Sequence, residues 1–160
     1  MRGNRRNFAI AGFLLLLVGA QVVANARVAF GSQSASPVTG DDVTAFNWIR
    51  TKTLLNATFF VSLADAGSWI PVYTERRVVL PFGVVTNVSL LANYTQVVSA
   101  FAANPGSTQS LRFLTSLGAT YIYSGPARIY GRSGFDPIAL ATAGFRPVYH
   151  YNDVWIFQVV

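Results

Sequence analysis

The side chains with the most chemical potential in this chain crowd into one run, Asp65 to Arg77, DAGSWIPVYTERR. Asp65 and Glu75 are two carboxylates that could act as acid and base across a cleft, as in glycoside hydrolysis. Arg76 and Arg77 are guanidinium groups suited to pairing with carboxylates or phosphates. Trp69 offers an indole that can stack on a sugar or fill a core. The simpler expectation is structural: Asp65 pairs with Arg76 or Arg77 and fixes the shape of a loop. Alternation along a strand sends the two arginines to opposite sides. One then pairs inward, and the other faces a partner, a phosphate or a lipid headgroup. The stretch is expected as a loop at one end of a sheet, after the carboxyl end of the first strand, where ligands sit in open α/β folds.

Other chemistries lack their residues. The chain has no cysteine, which excludes disulfides, thiolate catalysis and sulfur-ligated metals. His150 is the single histidine and lies in a strand pattern between Tyr149 and Tyr151. A zinc site would need more nitrogen ligands, and the carboxylates are too scattered for a calcium cage. Neither a G-x-S-x-G elbow nor a glycine-rich phosphate loop occurs. No cofactor or metal is therefore expected. The formal net charge is +6, but Arg2, Arg5 and Arg6 supply half of it, and no basic run exceeds two residues. No nucleic-acid partner is expected from so dispersed a charge. N-x-S/T sites at Asn56, Asn87 and Asn93 are compatible with export.

The elements that must position the central run can be read in chain order. Residues 1–30 are expected to form a basic tail and a membrane segment. Phe8 to Ala26 is a predominantly apolar stretch of nineteen residues, about 28 Å as a helix and enough to cross a bilayer. Three arginines precede it and Arg27 follows, so the positive-inside bias puts the N-terminus in the cytoplasm and the rest outside. The alternative is a signal peptide cleaved after Ala24-Asn25-Ala26, giving a secreted product. Residues 31–40, GSQSASPVTG, read as a linker.

Residues 41–160 read as an extracytoplasmic domain. Asp41 and Asp42 suit a helix N-terminus, and Arg50 and Lys52 its last turn. Ala57 to Leu63 and Arg77 to Phe82 read as strands. Helices follow over Val88 to Ala103 and after Ser107, with Gly118 as a stop. Ala119 to Tyr123 is a third strand. Asp136-Pro137 opens a further helix that ends at Gly144. Arg146 to Tyr151 and Val154 to Val159 form a hairpin turning at Asn152-Asp153. This order predicts an α/β fold: a small layer sandwich with mostly parallel central strands and a C-terminal antiparallel hairpin.

Several segments together resemble a known family. They are the helix DDVTAFNWIR, the run NATFFVSLADAGSWIPVYTERRVVLP, the strand GATYIYSG and the closing FRPVYHYNDVWIFQV. With the anchor and linker before them, they resemble the C-terminal extracytoplasmic part of polytopic membrane glycosyltransferases of the GT-C kind. Within that kind, they resemble the group of prokaryotic proteins that are similar to the aminoarabinose and mannosyl transferases. Those enzymes use lipid-linked sugar donors. The shared pattern is a strand, then D-x-G-x-W-x-P at Asp65, Gly67, Trp69 and Pro71, then a strand led by Arg76 and Arg77. The resemblance spans residues 8–160. The family's catalytic acids sit near the start of a many-helix membrane bundle, and this chain has one such segment. What the resemblance implies is a domain that accompanies the chemistry. Its partners would be the membrane, a polytopic glycosyltransferase, or a glycan or lipid-linked sugar. Turnover by this chain alone is not expected. The alternative is an independent exported module that binds a glycan or peptide.

Overall fold

The computed structural model describes residues 38–79, 88–126 and 134–159, all within the unit Ser36–Val160. The expected anchor, most of the linker, the end of the expected strand Arg77 to Phe82, and Asn87 lie outside the described residues. Among the described residues no helix is long and apolar enough to cross a membrane.

Helix α1, Gly40–Lys52, starts at Thr39, whose backbone N–H and hydroxyl both donate to the Asp42 carboxylate, at 2.8 and 2.7 Å. The acidic first turn and basic last turn match the helix dipole as expected. Strand β1 is Thr58–Phe60. A 3-10 turn, Ala66–Trp69, and helix α2, Ile70–Thr74, carry the chain to β2, Arg77–Val78. The long helix α3, Val88–Ala103, and α4, Thr108–Ser116, lead to β3, Tyr121–Ser124. Ser107 caps α4 by accepting from the Ser110 N–H, and Gly118 takes a positive φ of 62° beyond its end. Helix α5, Pro137–Thr142, is capped by Asp136 and is followed by Gly144 at φ 93°. Strands β4, Arg146–Tyr151, and β5, Val154–Gln158, close the fold.

The five strands lie in the order β2-β1-β3-β5-β4. β1 is parallel to both β2 and β3, while β5 is antiparallel to β3 and to β4. The α/β class and the antiparallel C-terminal pair thus match the sequence reading, while the sheet itself is mixed, its middle strand β3 being parallel to β1 and antiparallel to β5. Period-2 alternation divides each inner strand between two cores. Phe59, Tyr123 and Ile156 pack with Ala45, Phe46 and Ile49 of α1 and Ile70 of α2. Phe60, Ile122 and Phe157 pack with Val98 and Phe101 of α3, Leu114 of α4 and Leu140 of α5. Helices therefore cover both faces, which is why β1 and β3 read as apolar runs.

One expectation about the central stretch is corrected here. Asp65 to Arg77 is not a loop at one end of the sheet. It is a crossover between parallel strands, built of a 3-10 turn and a helix. Parallel pairing requires the connection to run back along the whole strand length. Asp65 follows the carboxyl end of β1. Arg77, opposite Thr58 in register, lies at the amino end.

Candidate functional site at the carboxyl end of the parallel strands

The chain leaves β1 toward β2 on one side, while β3 lies on the other. The carboxyl ends of β1 and β3 therefore flank the point where strand order reverses. Asp65 occupies this position. Its Oδ1 accepts from the Gly67 N–H at 2.8 Å, which caps the 3-10 turn. Its Oδ2 accepts from the Gly125 N–H at 3.3 Å, just beyond β3. The carboxyl group thus clasps the segment after β1 to the segment after β3. Close approach explains the two glycines. A Cβ at Gly67 would sit 2.9 Å from Asp65 Oδ1 and from Val61, and one at Gly125 would sit 3.0 Å from the Tyr123 ring.

Asp65 is 0 % exposed, and burial pushes its pKa up to about 8. The two backbone N–H bonds oppose that rise, and the nearby Asp42 carboxylate adds to it. Tyr94 of α3 donates to the Val61 carbonyl at 2.7 Å, and its phenol is raised by burial and secondarily by Asp65. Asp42 is also fully buried, and its Oδ1 accepts from the Tyr123 hydroxyl at 2.6 Å. Two buried carboxyl groups, Asp65 and Asp42, thereby join β3 to the 3-10 turn and to α1. The Asp42–Tyr123 bond links residues 81 apart, and the local sequence read Asp42 only as an N-terminal helix charge.

The expected ion pair does not form. Arg76 lies at the other end of the sheet and is 8 % exposed. Its guanidinium donates to the carbonyls of Arg50, Thr53 and Thr74 at 2.7, 2.9 and 2.8 Å, and to the Thr53 hydroxyl at 3.3 Å. Those carbonyls end α1 and α2, where the helix dipole favours a cation. Arg76 is thus the inward arginine, neutralised by helix ends instead of by Asp65. Arg77 is exposed. Glu75 is exposed and closes α2 in the left-handed region at φ 60°. Asp65 and Glu75 therefore stand at opposite ends of the crossover and form no acid/base pair across a cleft. Trp69 is half-buried against the α1 side of the core, as expected of a packing indole.

A groove of about 400 Å³ opens beside the carboxyl end of β1, between Ser62–Ala64 and Thr95, Val98, Ser99 and Ala102 of α3. Its described lining carries hydroxyls and apolar groups but no charged side chain. Among the described residues no cluster of His, Cys, Asp or Glu could hold a metal. His150 stacks on Trp155 with ring centroids 3.5 Å apart, beside the hairpin turn, as a strand residue.

Compared with family models and with curated proteins, the chain matches none.

Proposed function

We propose that this chain is a membrane-anchored extracytoplasmic domain that accompanies a lipid-linked-sugar glycosyltransferase or its glycan, without turning over substrate by itself. The observation that carries this reading is where the ionisable side chains of the central run go. Asp65 clasps two backbone segments, and Arg76 caps two helices. Both groups serve the scaffold, and Glu75 and Arg77 face solvent at the far end. The apolar stretch from Phe8 to Ala26, with its arginine asymmetry, supports the anchor.

The test is recovery of the tagged chain from native membranes in mild detergent. A polytopic protein with glycosyltransferase-type membrane helices should accompany it in comparable amount. Recovery of the chain alone would refute the accessory role. A second reading, an independent glycan- or peptide-binding module, is favoured by the groove beside β1. In that case titration with oligosaccharides would shift the NMR signals of Ser62, Thr95 and Ser99, with no partner required.

A further inference from the structure

The ionisable side chains of the described domain are sorted along the strand axis, with Asp65 largely protonated near neutral pH and the other acids carrying the negative charge. Asp41 and Asp42 open α1, Asp65 follows β1, Asp136 caps α5, and Asp153 lies in the β4–β5 turn. The Tyr123–Asp42 and Gly125–Asp65 hydrogen bonds put the start of α1 and Asp65 at the carboxyl end of the parallel strands, the Ser124–Phe135 bond puts Asp136 there, and Trp155 opposite Ser124 puts the Asp153 turn there. Apart from Arg112 in the middle of α4, the exposed cations of the described residues gather at the amino end. Arg50 and Lys52 end α1, Arg77 stands opposite Thr58, and Arg146 stands opposite Gln158, which itself faces Tyr121 at the start of β3. All four are exposed, and Glu75 is the one described acid at that end.

Helix dipoles account for Arg50 and Lys52. They do not account for Arg77 and Arg146, which are on strands. Nor do they account for Leu54 and Leu55, which form the turn between α1 and β1 and are 76 % and 65 % exposed. Two adjacent leucines at the tip of a domain, ringed by cations, have the chemistry of a bilayer interface. The apolar tips enter the acyl boundary while the guanidinium and ammonium groups meet phosphates. Arginine and lysine stems are long enough to reach phosphates from above.

We infer that the amino end of the parallel strands is a membrane-facing surface, in which Leu54 and Leu55 dip into an anionic bilayer and Arg50, Lys52, Arg77 and Arg146 bind its headgroups. The inference rests on the proposed anchor, which keeps the domain near a bilayer.

The absence of cysteine from the sequence makes single labels unambiguous. The full chain carrying Leu55→Cys, or separately Ile138→Cys, is spin-labelled and placed in nanodiscs of phosphatidylcholine, with or without phosphatidylglycerol. Ile138 is 75 % exposed and begins α5 at the opposite end. The label at position 55 should gain lipid accessibility in discs containing phosphatidylglycerol, and the label at 138 should stay aqueous. High salt should return the first label to water, as should Arg77→Gln or the pair Arg50→Gln and Lys52→Gln. Each neutralised cation should shift the docking equilibrium by about fivefold. An unchanged thermal transition in the variants shows that the fold persists.

If the chain enters the discs and the label at 55 stays aqueous, the inference is overturned and the anchor stands. Equal lipid contact at both positions, insensitive to charge, overturns it as well. A chain that fails to enter the discs removes the anchor, and this inference falls with it.

Discussion

Arg76→Ala tests how the fold handles a buried cation that has no carboxylate partner among the described residues. The guanidinium makes four hydrogen bonds, three of them to carbonyls at 2.7 to 2.9 Å. Truncation removes them and leaves the buried Thr53 and Thr74 carbonyls without that donor. Each orphaned group costs about 1–3 kcal/mol. The Arg50 carbonyl is only partly buried, so water can replace its donor at lower cost. The sum is about 3–5 kcal/mol, a large share of the ~5–15 kcal/mol that holds a typical domain together. For a domain of this size that lowers the melting temperature by roughly 10–20 °C. Arg76→Lys keeps the charge but offers a compact ammonium in place of the planar fork, so it should recover about half of the loss. Arg77→Ala should stay within about 0.5 kcal/mol of the parent, because the side chain is exposed. Thermal unfolding followed by circular dichroism reads all three variants. Equal melting temperatures for Arg76→Ala and Arg77→Ala would refute the helix-capping account.

Two further predictions concern the carboxyl end of the sheet. Burial raises the Asp65 pKa from the ordinary carboxylate range to about 8. The native state therefore holds a proton that the unfolded chain has released. The resulting stability is fully present below about pH 4 and is lost as pH rises to 8, on the order of 5 kcal/mol in all. Asp65→Asn should flatten that profile in melts between pH 5 and 8.5, and parallel profiles would contradict it. Tyr123→Phe leaves the buried Asp42 carboxylate without its 2.6 Å hydroxyl donor and should cost about 2–3 kcal/mol in chemical denaturation. A loss below 0.5 kcal/mol, the range of an ordinary surface change, would show that the bond contributes little.

Capping signals carried most of the fold's legibility. Ser107, Asp136 with Pro137, Gly118, Gly144 and Asn152 each sit at a boundary found in the structure. Helix α2 escaped because it is five residues long and includes Pro71 with three β-branched residues, Ile70, Val72 and Thr74. Nothing in so short a run shows helical periodicity. Pro71 in the first turn was the available signal. The ion pair expected of Asp65 failed for a topological reason: nearness in sequence became distance once β1 and β2 paired in parallel. The true partners of Arg76 are backbone carbonyls, which no residue identity announces. Asp42 and Tyr123 meet only because α1 lies across β3. Their types fit a buried hydrogen bond, but their separation in the chain hid it.

Protease treatment of intact protoplasts tests the central claim most directly, using a chain tagged at both ends. The account predicts cleavage beyond Arg27, loss of the C-terminal tag, and an N-terminal tag that stays protected and membrane-bound. A C-terminal domain that survives intact until the membrane is permeabilised would contradict it.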